Sequence, residues 1–213
     1  MQAPEEARTE SRADRPGACV GPNAVIQLAD ALRDMHGTGA ARQVFECAGF
    51  AELLDQPPTQ MINERIPAAL FTALWQNLPD ESATRIAKAA GQRTADYILA
   101  NRIPRAVQII LRRLPAPIAA PILLAAINKN AWTFVGSGTC RTSAGQPAVI
   151  EISDNPLAMP DCVWHQAVFE RLFRELVSLA TVVRHSMCCT RGNPLCHFEL
   201  SFSGPKRSNR DFP

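Results

Sequence analysis

The periodicity of apolar residues changes once along the chain, near residue 131, and this change restricts the folds that the chain can adopt. Before that point apolar residues recur at the spacing of helices, for example at Val25, Leu28 and Leu32. Beyond it, short segments rich in β-branched and aromatic residues appear, and CHFELSF at 196–202 alternates strictly between apolar and polar residues. The sequence therefore predicts an α+β fold in which an N-terminal helical layer packs on an antiparallel sheet that carries one helix.

Apolar spacing, capping residues and glycine stops predict five helices in the first part of the chain. They are a helix from Asn23 to Gly37, a shorter one ending near Gly49, one over 64–77, and two that begin at Asp80 and near Arg105. The uncharged segment LPAPIAAPILLAAI follows at 114–127. It is shorter than the roughly 20 apolar residues of a membrane span, and three prolines interrupt it. We predict a buried or half-buried helix; a surface for an apolar ligand or a membrane, flanked by Arg112, Arg113 and Lys129, is the alternative.

The second part of the chain has the pattern of an antiparallel sheet with one helix. The predicted strands are WTFVGSG (132–138), PAVIEIS (147–153), VVRHSMC (182–188) and CHFELSF (196–202). A helix capped by Asp161 is predicted to run to about Ala180, because apolar residues from Trp164 onward follow helical spacing.

The length of 213 residues suits a single domain, which we place at residues 21–203. Within it, 21–130 form the helical part and 131–203 the α+β part. Residues 1–20 alternate acidic and basic side chains and lack the apolar core of a signal peptide, and residues 204–213 are polar. We expect both tails to be loose and the protein to be cytoplasmic. There its 7 cysteines, an odd number, would stay reduced.

The charge balance argues against a nucleic-acid partner. The chain has 22 basic and 20 acidic residues, and only 6% of its residues are aromatic. Proteins that bind nucleic acids usually carry a clear basic excess or a basic stripe, and those that bind single strands add aromatic residues for stacking.

Three of the cysteines and two of the four histidines lie in HSMCCTRGNPLCHF at 185–198. The turn CTRGNPL could bring Cys188 and Cys196 together, with His185 and Cys162 as further ligands of a tetrahedral zinc. On a regular strand His185 and Cys188 would face opposite sides, so the strand must end or bulge between them. Buried inert thiols and a redox or catalytic thiol are the alternatives that the spacing leaves open.

The pattern C-x3-G-x3-C-x-F, preceded by a helix containing FERLFRELV, resembles the 4-vinyl reductase domain family, and the resemblance covers about residues 20–203. Related domains of phenol-responsive regulators bind zinc through a Cys and then Glu-x2-Cys-x7-Cys. The resemblance implies that Cys188 and Cys196 are the last two ligands, that His185 stands at the Glu position and that Cys162 is the earlier Cys. The zinc would be structural, because four protein ligands leave no open position. Cys189 would be a neighbour, with His165 and His197 in reserve.

The resemblance also implies a role in bacteriochlorophyll and chlorophyll biosynthesis for photosynthesis, namely reduction of a vinyl group on a tetrapyrrole. Whether the chain is itself an enzyme stays open, since GSGT at 136–139 is a lone GxG that predicts a turn and not a dinucleotide site. The first hypothesis is a protein that binds a magnesium-tetrapyrrole intermediate and assists 8-vinyl reduction or passes the intermediate between pathway enzymes. The alternative is the divinyl (proto)chlorophyllide 8-vinyl (4-vinyl) reductase itself. A ligand sensor like the regulators' domains is a third interpretation.

Several partners and contacts follow from the first hypothesis. His36 or His165 could ligate the magnesium, and Arg112 and Arg113 could meet carboxylates of the tetrapyrrole. Other bacteriochlorophyll biosynthesis enzymes would be partners. Peripheral contact with a membrane and a homodimer are also open to such a chain.

Overall fold

The computed structural model describes residues 18–202, so the expectations for the tails at 1–20 and 204–213 lie outside the described residues except at 18–20. There the prediction of a loose tail was wrong, because Cys19–Val20 form a short strand and Val20 is buried. The helices are α1 (Asn23–Cys47), α2 (Glu52–Asp55), α3 (Arg65–Asn77), α4 (Asp80–Asn101), α5 (Arg105–Arg113), α6 (Ala116–Lys129), α7 (Trp132–Val135) and α8 (Val163–Leu176). The strands are β1 (Cys19–Val20), β2 (Ile62–Asn63), β3 (Thr139–Ser143), β4 (Ala148–Ser153), β5 (Val182–Met187) and β6 (Leu195–Ser201). The predicted α+β class is confirmed.

The larger of the two described sheets has four antiparallel strands in the order β3-β4-β6-β5. Its central pair places Ile152 opposite Cys196, and both side chains are buried on the inner face. On the outer face His197 contacts the Glu151 carboxylate at 3.0 Å. The alternation predicted for 196–202 is therefore confirmed in β6, because one face of the sheet meets the core and the other meets water.

Helix α8 lies on the inner face of the sheet and carries the helical layer. The Phe169 ring meets the Phe198 ring edge to face, with centroids 5.3 Å apart. Helix α4 packs along the other side of α8, and α1 and α3 pack in turn on α4. Most of the helical layer thus reaches the sheet through α8, while α6 contacts β3 directly.

Three local predictions were wrong or incomplete. The strand predicted at 132–138 is the short helix α7, because the N–H groups of Thr133 and Val135 find nearby carbonyls of the preceding turn. Helix α8 ends at Leu176, before the predicted Ala180. Strand β3 escaped prediction because none of its side chains is fully buried, so its sequence TCRTS has no apolar alternation.

Other predictions hold. Helix α1 is broken at Gly37, whose φ of 82° is one that favours glycine. The segment 114–127 forms α6, with its inner face buried. Gly136 and Gly138 form the turn between α7 and β3, as predicted for GSGT.

Candidate metal centre

Four side chains from three separate parts of the fold converge at one end of α8. They are Cys162, which ends a short 3₁₀ turn (Pro160–Cys162), His185 in β5, Cys188 just after β5, and Cys196 in β6. One ligand atom from each lies within 4.8 Å of the other three. The three cysteines are at most 1% exposed and His185 is half-buried. The structure therefore brings together all four of the metal ligands predicted from the sequence, and the group could hold a metal ion.

The strand irregularity that the sequence required is present. The β5–β6 pairing shifts register between His185 and Met187, and β5 ends at Met187. The irregularity lets His185 and Cys188 point to the same side, which a regular strand would forbid. The turn to β6 then returns through Gly192, whose φ is 82°.

The spacing of the sulfur atoms suits a tetrahedral ion. Sγ of Cys162 lies 3.2 Å from Sγ of Cys196 and 3.9 Å from Sγ of Cys188. Zn–S bonds of about 2.3 Å imply S–S separations of roughly 3.8 Å around a tetrahedral zinc. Only small side-chain adjustments separate the present arrangement from a coordination shell.

His185 is oriented as a metal ligand would be. Its Nδ1 lies 2.8 Å from the Asp161 carbonyl oxygen. Because a carbonyl only accepts hydrogen bonds, Nδ1 carries the proton and Nε2 keeps a free lone pair. Nε2 is buried and forms no well-formed hydrogen bond within residues 18–202, although the Cys196 thiol is nearby. A histidine that donates one ring N–H to a carbonyl and turns the other nitrogen to a metal is the usual second-shell arrangement, so Nε2 fits a cation.

The thiols are set up to lose protons to a cation. The contact with the Cys162 thiol lowers the pKa of Cys196 to about 3, and the same contact together with burial raises the pKa of Cys162. Contact between the two sulfurs therefore favours one thiolate within the pair. The backbone N–H of Cys189 donates to Sγ of Cys196 at 3.5 Å, and Cys162 lies at the positive N-terminal end of α8.

The backbone at Cys162 is strained. Asp161 and Cys162 both have positive φ, 56° and 42°, a region that residues other than glycine seldom adopt. Such strain is maintained only where the surroundings impose it, and it is frequent at functional sites. An ion pair between Arg191 and Asp161 ties this turn to the turn Cys189–Arg191 that follows β5.

Sequence analysis missed three residues that support the cluster. The Asn155 amide is buried, donates to Sγ of Cys162 at 3.6 Å and accepts the N–H of Leu157 at 3.0 Å. The Thr190 hydroxyl lies 2.9 Å from Sγ of Cys188. The Asp161 carbonyl orients His185. Only the polar character of the DNP segment at 154–156 pointed to Asn155, and it was equally compatible with an ordinary turn.

The other candidate residues are not members of the four-residue group. Cys189 contacts Sγ of Cys196 at 3.2 Å but is not one of the four. His197 is held on the outer face of the sheet by Glu151. His36 is exposed. Arg112 is bound to the Glu175 carbonyl and carboxylate, whereas Arg113 is exposed.

His165 is fully buried among aromatic rings. Its ring centroid lies 4.9 Å from that of Trp164 and 6.3 Å from that of Phe134. Neither ring nitrogen has a well-formed hydrogen bond within residues 18–202, although a backbone group of Phe134 is nearby. Burial lowers the pKa of His165 to about 4, so the ring is neutral at neutral pH.

We expect His165 to make the fold sensitive to mild acid. Between pH 6.5 and 4 the histidine is protonated in the unfolded chain, whereas the buried ring in the folded protein stays neutral. The free energy of unfolding therefore decreases as the pH falls through this range, by about 3 kcal/mol in total. Urea unfolding of wild type and His165→Phe from pH 7 to pH 4 measures the effect as the difference between the two curves. The variant should lose less stability, the exposed control His36→Gln should follow wild type, and parallel curves for His165→Phe and wild type would contradict this.

A groove of about 530 Å³ adjoins the metal centre. It lies between the start of α3, the turn after α7, the loop after β4 and the turn Cys189–Pro194. Its lining includes Arg65, Ala68, Asn155, Cys189 and Asn193. Arg65 is exposed and has no ion pair within residues 18–202. Glu64 and Asp154 also line it, so the groove offers one cation and two carboxylates beside small apolar side chains.

The chain is similar to two curated proteins named bacteriochlorophyll synthase 23 kDa chain. The protein from Cereibacter sphaeroides is 43% identical over 187 residues, which cover 85% of this chain and 89% of the relative. The protein from Rhodobacter capsulatus is 38% identical over 192 residues, covering 88% of this chain and 89% of the relative. No protein-family model matches the chain.

Among solved structures the chain is similar to H-NOX proteins. An H-NOX protein from S. oneidensis in the Fe(II)NO state aligns with a TM-score of 0.55 at 13% identity, over 87% of this chain and all of the other. An H-NOX structure from work on heme distortion aligns with a TM-score of 0.55 at 11% identity, over 91% of this chain and all of the other. At these identities the likeness describes the fold.

Identity of about 40% across nearly the whole of both partners far exceeds what a shared fold alone produces, as the H-NOX identities show. The chain therefore belongs to the family of the bacteriochlorophyll synthase 23 kDa chains.

Proposed function

We propose that the chain serves bacteriochlorophyll biosynthesis by binding a magnesium-tetrapyrrole intermediate, and that it assists 8-vinyl reduction or passes the intermediate to another pathway enzyme. The observation that carries this proposal is the nearly full-length similarity to two proteins named as chains of bacteriochlorophyll synthase. The H-NOX fold adds support of another kind, because heme, a tetrapyrrole, is named for those proteins.

The groove beside the metal centre is our candidate for the tetrapyrrole site. Its volume lies within the range of roughly 300–1,000 Å³ that small-molecule sites occupy. The Arg65 guanidinium suits a carboxylate of the ligand, because arginine binds carboxylates with two parallel hydrogen bonds. Ala68 and Pro194 supply apolar wall for the macrocycle. Of the helical layer, only the first residues of α3 and the residue before them line this groove.

We further propose that the four-residue group Cys162, His185, Cys188 and Cys196 holds zinc in a structural role. The donor set of three sulfurs and one imidazole nitrogen is one that zinc prefers. Because the sulfurs are buried and four protein ligands complete a tetrahedron, no position is left for substrate. The zinc would hold the β5–β6 turn against the start of α8, and this would shape one wall of the groove through Cys189.

Titration of the full chain with a divinyl magnesium-tetrapyrrole tests the binding proposal. We expect saturable changes in the ligand's absorbance, and affinity about tenfold weaker or more in Arg65→Glu, since a charge-assisted hydrogen bond is lost. Ala68→Phe, which fills the groove, should weaken binding as well. Lys88→Glu and Ala100→Phe, the same changes at exposed positions on α4, should bind like wild type. Absence of binding, or equal loss in the controls, would contradict the proposal.

The same mixture distinguishes the two roles. After binding, reduced nicotinamide or reduced ferredoxin is added and the vinyl absorbance band is followed. Binding without loss of that band supports an accessory or carrier protein. Loss of the band with this protein alone would identify the chain as the reductase and overturn the carrier role.

A further inference from the structure

Helices α5 and α6 expose aliphatic side chains in a short stretch of the chain. Within residues 18–202 ten large hydrophobic side chains are exposed, and five of them fall between residues 107 and 122. They are Val107 (40% exposed), Ile109 (43%), Ile110 (57%), Ile118 (51%) and Ile122 (46%). Monomeric proteins seldom leave such side chains grouped in water without a use.

These side chains lie opposite the faces that join the core. Helix α5 buries only Gln108 and Leu111, and helical geometry places Ile109 and Ile110 on the far side. Helix α6 buries Ala119, Ala120, Leu123, Leu124 and Ile127. Ile118 and Ile122 therefore share its outer stripe, one turn apart. Both helices pack on α8, so they present their outer faces away from the core.

The wider part of the chain around α5 and α6 carries basic but no acidic side chains. Residues 97–150 contain six basic and no acidic residues, whereas the rest of the chain has 16 basic and 20 acidic residues. Arg102, Arg105, Arg113 and Lys129 are exposed. None of these four has an ion pair with a carboxylate in the described part of the chain. In contrast, at least one ion pair with a carboxylate is present at Arg42, Arg85, Arg93, Arg171, Arg174, Arg184 and Arg191.

We infer that this α5–α6 face, made of the five exposed aliphatic side chains and the four unpaired cations, docks on an anionic bilayer surface. An amphipathic surface of this kind buries its aliphatic side chains at the level of the acyl chains and holds its cations among anionic headgroups. No helix within residues 18–202 is long and apolar enough to cross a bilayer, so the contact is interfacial. The inference does not rest on tetrapyrrole binding.

Charge separates this occupant from a second copy of the chain. A two-fold symmetric contact would place the α5–α6 face against itself and bring its unpaired cations toward those of the partner. Like charges brought together at an interface oppose association. An anionic lipid surface instead neutralises each cation. Fluid acyl chains also pack around isoleucine side chains without requiring a complementary surface of fixed shape. The exposed hydrophobic side chains of the face are also all aliphatic, whereas protein interfaces are enriched in aromatic ones.

Flotation of the full chain with vesicles tests the inference. We expect the protein to float with vesicles of phosphatidylcholine and phosphatidylglycerol in equal parts, to stay behind with phosphatidylcholine alone, and to be released by salt. Arg105→Gln/Arg113→Gln should bind about 25-fold less tightly, since each basic residue near the surface contributes about fivefold. Ile109→Gln/Ile110→Gln should bind at least as weakly.

Two matched double variants serve as controls. Leu179→Gln/Val182→Gln removes exposed apolar side chains elsewhere, and Arg85→Gln/Lys88→Gln removes two exposed cations of α4. Both should float like wild type. Failure of wild type to float with anionic vesicles, or equal losses in the controls, would overturn the inference. So would a wild-type dimer in solution that Ile109→Gln/Ile110→Gln dissociates, because the face would then be a protein interface.

Discussion

Replacement of Cys196 by Ser is expected to release the metal and to remove most of the stability of the fold. Sγ of Cys196 lies between those of Cys162 and Cys189, 3.2 Å from each, and contact with the Cys162 thiol lowers the pKa of Cys196. A structural zinc contributes on the order of 10–16 kcal/mol of apparent binding free energy in small zinc domains. Domains as a whole are stable by only about 5–15 kcal/mol, so loss of the ion would leave little.

Elemental analysis and thermal unfolding measure this effect. Wild type should contain one zinc per chain, and Cys196→Ser should contain none and unfold at a much lower temperature. Cys189→Ser is the matched control: its sulfur touches Cys196 but lies outside the four-residue group, so zinc should be retained. Wild type that is fully folded without metal, or equal loss of metal from Cys189→Ser, would disprove the proposed site.

Replacement of Gly91 by Val is the second change with a large expected effect, because it forces α4 away from α8. A Cβ at Gly91 would lie 2.5 Å from the Trp164 carbonyl oxygen and 2.9 Å from the Ala167 Cβ. One atom belongs to the backbone of α8 and the other is an alanine Cβ fixed to that backbone, so neither can move away by a side-chain rotation. We expect a loss of about 3 kcal/mol or more in the free energy of unfolding, the upper range for overpacked cores.

Urea unfolding of Gly91→Val measures that loss, and the metal content of the folded fraction provides a second readout. Because α8 begins next to Cys162, displacement of its first turn should also weaken metal retention. Gly39→Val is the matched control: no atom lies within 4 Å of a Cβ at Gly39, so its stability should stay within roughly 1 kcal/mol of wild type. Equal stability of the Gly91 and Gly39 variants would show that α4 and α8 can separate freely.

The four-residue group shows which features of the candidate site residue spacing can predict. The turn between Cys188 and Cys196, and the need for a strand irregularity after His185, follow from local geometry, and both are present. Asn155 lay beyond such reasoning. It depends on how the loop after β4 packs against Cys162, and no periodic pattern encodes that contact.

The sequence by itself determined the α+β class, the amphipathic helices and the strand faces through its periodicity. It also determined that residues 97–150 contain no acidic side chain. Each of the structural features depends on neighbours a few residues apart, whose relative positions regular secondary structure dictates. Tertiary structure alone decided that α8 lies between most of the helical layer and the sheet. It also decided that Gly91 admits no side chain, and that Arg105, Arg113 and Lys129 have no ion pair with a carboxylate within residues 18–202, unlike many other arginines. These outcomes depend on contacts between residues tens of positions apart, and such contacts form only when the layers close on one another.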